Sequence, residues 1–134
     1  PNLLDRESPL SMREREIVIL RVTANRNCEY EWGVHVTIFT AAAGFSEDQI
    51  VATKNAKSYD PVWDHKEKIL LASTDDLCRF GTIGRENLGL FQLFWSKEEQ
   101  LEIMALCGTY HTISFVANGA RVGLEDFAAR FPAA

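Results

Sequence analysis

Three four-residue stretches, SMRE at Ser11–Glu14, SEDQ at Ser46–Gln49 and SKEE at Ser96–Glu99, each place a serine three residues ahead of an acid or an amide. At that spacing the serine oxygen accepts from the third backbone N–H of a new helix while the later side chain reaches back to the serine's own N–H. The amides that a helix start leaves open are thereby satisfied reciprocally. All three stretches precede apolar residues at helical spacing, and alternation of period two is not sustained for more than a few residues anywhere. The expectation is an all-α fold, a single-domain bundle of about six helices spanning residues 1–134.

The first helix is expected from about Met12 to Arg26, with Ile17, Leu20 and Ala24 at helical spacing and Val18, Ile19 and Val22 widening the apolar arc. A second runs from Cys28 or Glu29 to Gly44, a residue suited to the left-handed conformation just past a helix end, and a short third follows Ser46. Pro61 keeps Asp60 out of helix, and DHKEKILLASTDDLCRFG reads as a fourth helix closed by Gly81. A fifth is expected over Arg85–Trp95 and a long sixth from Lys97 to about Asn118, with NGARVGLEDF as a frayed or partner-bound tail.

The net charge of −5 lacks the clustered basic footprint of a nucleic-acid binder, and no apolar run approaches the roughly 20 residues of a membrane span. The opening PNLLDRESPLSMRERE has no secretory leader, so the default address is cytoplasmic, and the missing initiator Met points to trimming. Cys28, Cys78 and Cys107 form no Cys-x-x-Cys motif and read as reduced thiols. His65 and His111 suggest no ligand set, so no metal is expected. Leu90, Phe91, Leu93, Phe94 and Trp95 carry more apolar surface than a small bundle buries, which points to a subunit interface.

The densest chemistry is NCEYEWGVH, residues 27–35. Glu31 and His35 stand four apart and share a helix face, a stripe expected to continue through Ile38 and Ala42 into the core. A carboxylate one turn before an imidazole orients it and favours its protonated form, while burial opposes that; the balance suits acid–base work near neutrality. The plainer alternative is a surface pair contributing a few tenths of a kcal/mol. Trp32 is either a pocket wall or a packed residue, and Cys28 either a thiol activated near the helix N-terminus or a passive one.

Three motifs carry a resemblance: R-E-x-x-I-L-R at Arg15–Arg21, Y-E-W-G-x-H at Tyr30–His35, and A-G-F-S-E-D-Q-I from Ala43. Together they resemble the carboxymuconolactone decarboxylase family and its alkylhydroperoxidase D relatives, and WDHKEKILLASTDDL and the long last helix extend the likeness over nearly the whole chain. The hydroperoxidases carry a Glu, then Cys-x-x-Cys, then a His. Position by position, the Glu falls on Glu16, the first cysteine on Cys28 and the His on His35, while the peroxide-attacking cysteine falls on Glu31. A carboxylate forms neither a sulfenic acid nor a disulfide, so two-cysteine peroxidase turnover is not expected. Val34 also departs from the paired histidines often seen after YEWG.

What the resemblance implies is an alkylhydroperoxidase D-like fold and a cofactor-free decarboxylase or related lyase acting on a small carboxylated lactone or aromatic-degradation intermediate. Glu16, Glu31 and His35 would be catalytic, with His35 as general acid, Glu31 its orienting partner and Glu16 a second relay or a group that destabilises the substrate carboxylate. Trp32, Cys28, Tyr30 and Arg21 would bind substrate, with Arg26 and Arg121 as further seats for an anion. The family also implies trimers or hexamers. Two rival readings stay open: a peroxiredoxin-like antioxidant using Cys28 with an external thiol, and a non-catalytic binding or assembly module.

Overall fold

The computed structural model describes residues 8–134; residues 1–7, the start of the stretch read above for a leader, lie outside the described residues. Six helices follow in order: α1 Met12–Asn25, α2 Glu29–Phe39, α3 Glu47–Asn55, α4 His65–Phe80, α5 Arg85–Phe94 and α6 Lys97–Gly119. No strand occurs among the described residues. None of their helices is long and apolar enough to cross a membrane.

Each expected cap forms in full at Ser11, Ser46 and Ser96, and a fourth box pairs Asp64 with Glu67. Helix ends use left-handed residues: Gly81 closes α4 at φ 75°, and Asn27 and Arg121 take φ 53° and 55° after α1 and α6. Regular α2 stops at Phe39, earlier than expected. Thr40 spends its hydroxyl on the Val36 carbonyl, and residues 40–44 continue as turns until Gly44, at φ 78°, lets Phe45 N–H reach the Thr40 carbonyl at 3.0 Å.

Helix α1 is the axis of the bundle, buried from Glu16 to Ala24 and packed on α2, α3, α4 and α6. Arg13–Glu67 and Arg21–Asp75 are ion pairs with the same offset, 54 residues, so α1 and α4 run parallel and in register. Ile17, Val18, Leu70, Leu71, Ile103 and Leu106 fill the space between α1, α4 and α6. Phe91 and Trp95 join that core and Leu90 and Phe94 pack on it, leaving only Leu93, 75% exposed, of the five residues expected to crowd an interface. Phe80, at the end of α4, is also largely exposed.

Two further expectations are corrected. The NGARVGLEDF segment is tied down at both ends, by the Asn118 amide on the Arg26 carbonyl and by Thr37 Oγ1 on the Phe127 carbonyl, and the chain beyond it runs along α2, where Ala129 N–H donates to the Gly33 carbonyl and Phe131 N–H to Glu29. This return segment and Trp32, Leu20 and Ala24 form a second, smaller core. Ile38 is 53% exposed and Ala42 is exposed, so the stripe through Glu31 and His35 does not continue into the core; in that stretch Thr40 and Ala43 are the residues turned inward.

Candidate functional site

Met12, Arg15, Glu16 and Ile19 recur at the i, i+3, i+4, i+7 spacing of one helix face, and that face of α1 forms a wall of a cavity of about 450 Å³. Ser8 and Leu10 from the entering chain, His35 and Phe39 from α2, and Tyr110 from α6 complete its lining. The interior is mainly apolar.

Glu16 and His35 are both buried, 5% and 8% exposed, and Glu16 Oε1 lies 2.8 Å from His35 Nδ1. An ionised carboxylate only accepts, so Nδ1 carries the hydrogen and the neutral ring presents its lone pair at Nε2. Two groups approach that nitrogen: Tyr110 Oη at 3.3 Å and Glu31 Oε2 at 3.6 Å. The ring is further held by Phe39, tilted at a centroid distance of 4.9 Å, and by Tyr110, edge-on at 5.4 Å. Burial, with the charges of Glu16 and Glu31, pushes the Tyr110 hydroxyl up to about 12 against a lowering by Arg15, so it stays a neutral O–H donor.

Glu16, Glu31 and His35 therefore do converge from two helices. The orienting contact expected from Glu31 is made by Glu16, because a neighbour across the α1–α2 interface meets Nδ1 head-on whereas a residue one turn earlier on the same helix reaches only Nε2. No group of three or more His, Cys, Asp or Glu side chains is arranged to hold a metal ion among the described residues.

The residues expected to bind substrate fall elsewhere, since a helix turns neighbours in sequence onto different faces. Trp32 donates Nε1–H to Thr53 Oγ1 at 3.0 Å and packs edge-on against Phe131, on the side of α2 that faces α3 and the return segment. Cys28 is wholly buried at the N-cap of α2, its N–H bonded to the Thr23 carbonyl at 2.8 Å. Tyr30 points its hydroxyl at Glu125, 3.4 Å away. Arg21 is buried, its fork taken by Asp75 at 2.7 and 2.8 Å and by the carbonyls of Ala52, Thr53 and Ala56. Arg26 lines a separate depression with Cys78 and Arg79, and Arg121 another with Asn27 and Tyr30.

Ser8, Arg15 and Tyr110 also line the cavity; of these only Tyr110 is a candidate from the sequence, as a residue of the last helix placed to meet a pocket or a neighbouring subunit. Arg15 was legible in the α1 periodicity, one position from Glu16 on the same face. Nothing local in the sequence pairs Tyr110 with His35, 75 residues away.

The model of the carboxymuconolactone decarboxylase family matches residues 2–72. No curated protein matches the sequence. A crystal structure of a protein of unknown function from Agrobacterium tumefaciens, described as a candidate antioxidant defence protein AhpD, superposes with a TM-score of 0.80 at 22% identity. The match covers 90% of this chain and 82% of that one and is a likeness of fold.

Proposed function

Because the chain belongs to the carboxymuconolactone decarboxylase family, we propose that it is a cofactor-free acid–base enzyme, a decarboxylase or related lyase acting on a small carboxylated lactone or aromatic-degradation acid. The observation that carries the reading is the Glu16–His35 contact in the wall of a largely apolar cavity. The apolar lining excludes water from the body of a bound ligand, and Arg15 supplies a cation for its carboxylate.

In decarboxylation the bond to the departing carboxyl breaks, carbon dioxide leaves, and the electron pair enters the conjugated lactone until a carbon accepts a proton. The imidazolium of His35 is the source of that proton. Its charge is compensated on both sides, by Glu16 at 2.8 Å and Glu31 at 3.6 Å, and the same contacts hold the ring's orientation through the transfer.

A parallel screen of carboxylated lactones and hydroperoxides against the parent protein, His35→Gln, Glu16→Gln and Cys28→Ser tests this. Lactone turnover that falls at least about 100-fold in His35→Gln and survives in Cys28→Ser supports the proposal. Lactone turnover unchanged in His35→Gln removes it. Peroxide turnover lost in Cys28→Ser replaces it with the thiol reading, against which stand the full burial of Cys28 and the carboxylate of Glu31 where a partner cysteine would be. Silence throughout favours a non-catalytic module.

We also propose that the chain self-associates as a trimer or hexamer through apolar residues left exposed on α6, among them Leu101, Phe115 and Val116. Light scattering that returns a monomer at tens of micromolar removes this part.

A further inference from the structure

Resting on the acid–base reading above, we infer that Tyr110 is a catalytic residue: its hydroxyl is the atom through which His35 exchanges a proton with the bound substrate. The Glu16 carboxylate occupies Nδ1 at 2.8 Å and, being only an acceptor, leaves Nε2 as the ring atom that takes and gives protons. Of the two groups beside Nε2, Glu31 at 3.6 Å is a carboxylate and brings no hydrogen to the neutral ring. Tyr110 Oη, at 3.3 Å, is the group that donates to this lone pair.

A substrate in the cavity therefore meets Nε2 already engaged by a phenol that itself lines the cavity. The ring planes of His35 and Tyr110 cross at 86° with centroids 5.4 Å apart, and the hydroxyl stands 3.3 Å from Nε2. Tyr110 is buried on α6 with Leu106 one turn before it and Ser114 one turn after, a backbone-rigid placement for a group that must hold one position through turnover. The 3.3 Å separation is longer than an ordinary O–H···N contact, the looseness expected of a relay that tightens once a ligand fills the cavity.

The proton balance closes without another reactant. With His35 charged, Nε2–H donates to Tyr110 Oη and the phenol O–H turns toward the cavity. As the substrate carbanion takes the phenol proton, the O–H bond breaks and a C–H bond forms; Nε2–H breaks and restores the phenol. The carbon gains one proton, the imidazolium becomes neutral, and Tyr110 ends as it began. Solvent then recharges the ring. The phenol's resistance to ionisation, set by burial and by the charges of Glu16 and Glu31, keeps it from stalling as phenolate between the two transfers.

The test uses Tyr110→Phe, which keeps the ring and deletes the hydroxyl. On whichever carboxylated lactone the parent protein turns over, kcat should fall about 100-fold with KM changed less than about threefold. The solvent-isotope proton inventory of kcat should pass from curved, two protons in flight, to linear. Tyr110→Phe with kcat within about threefold of the parent and a linear inventory in both overturns the relay. A second arm needs no substrate: long-range ¹H–¹⁵N spectra of the three histidines, with His35 assigned by its loss in His35→Gln. The relay requires the Nδ1–H tautomer and an Nε2 resonance that moves in Tyr110→Phe. If no lactone is turned over, the proposed function fails on its own, and an Nε2 that carries the hydrogen in the neutral ring, or is unmoved by the substitution, still overturns the relay.

Discussion

Gly33→Ala sets two physical effects of opposite sign against each other at one position of α2. On helix propensity alone the substitution should stabilise, since glycine in a helix interior costs about 1 kcal/mol relative to alanine. Here a Cβ would meet the Ala129 carbonyl oxygen at 2.0 Å, with Ala129 C at 3.1 Å and N at 3.4 Å, so it meets backbone that has no rotamer to yield. The return segment must retreat by about 1.5 Å to regain ordinary contact. That movement breaks or stretches Ala129 N–H to Gly33 O at 3.3 Å and to Thr37 Oγ1 at 3.0 Å, Thr37 Oγ1 to Phe127 O at 3.3 Å, and Phe131 N–H to Glu29 at 2.6 Å. Losing three of these four bonds, with the fourth only stretched, costs about 3 kcal/mol at roughly 1 kcal/mol each. Less the helical gain, the net is a destabilisation of about 2 kcal/mol, or a Tm lower by about 5–10 °C for a chain of this size. Urea denaturation measures the first, and hydrogen exchange should show protection lost at the Ala129 and Phe131 amides of the return segment before α2 opens. A variant as stable as the parent, or more so, would mean that the return segment is not seated on Gly33 and would refute the reasoning.

Arg21→Met leaves Asp75 without its ion pair and removes the guanidinium donor from the carbonyls of Ala52, Thr53 and Ala56, so unfolding free energy should drop by about 3 kcal/mol in urea; a loss below 1 kcal/mol would place the pair among ornamental surface contacts. Burial raises the Glu14 carboxyl, but hydrogen bonds from Trp95 and Ser11 and the charge of Lys66 outweigh it and hold it below its ordinary 4.5. A depressed folded value contributes stability above the unfolded value that is lost as pH falls through the folded one. The gap in Tm between parent and Glu14→Gln should therefore be widest near neutrality and close below about pH 4, and a gap constant with pH would contradict the cause. Gly81→Ala, at φ 75°, should destabilise by about 1 kcal/mol, whereas Gly89→Ala, inside α5 with open space around its Cβ position, should stabilise by up to about 1 kcal/mol; calorimetry of the two side by side checks the sign of each.

Much of the site was readable from local pattern combined with family likeness. The i, i+4 relation of Glu31 and His35 is a property of any helix through those positions, and the likeness added Glu16, whose meeting with His35 the bundle accomplishes by packing α1 against α2. The residues that lie away from the cavity do so for one reason. Trp32, Cys28, Tyr30 and Arg21 were gathered because they stand near the motif in the chain, yet each is committed by tertiary contacts to another surface: Trp32 to Thr53 and Phe131, Arg21 to Asp75, Tyr30 to Glu125.

By itself the sequence determined where helices begin and, in large part, where they stop, because caps are short-range exchanges between a side chain and the backbone a few residues away: Ser11 with Glu14, Ser46 with Gln49, Ser96 with Glu99. It also determined that α1 would lie inside, since its apolar arc has no other place to go. Only the tertiary structure decided which partner occupies Nδ1, that Tyr110 comes to Nε2 from α6, and that Gly33 accepts the returning chain. Those contacts join residues 19, 75 and 96 positions apart, and helix rotation, crossing and register set them together through packing of the whole core, which no window of the chain contains.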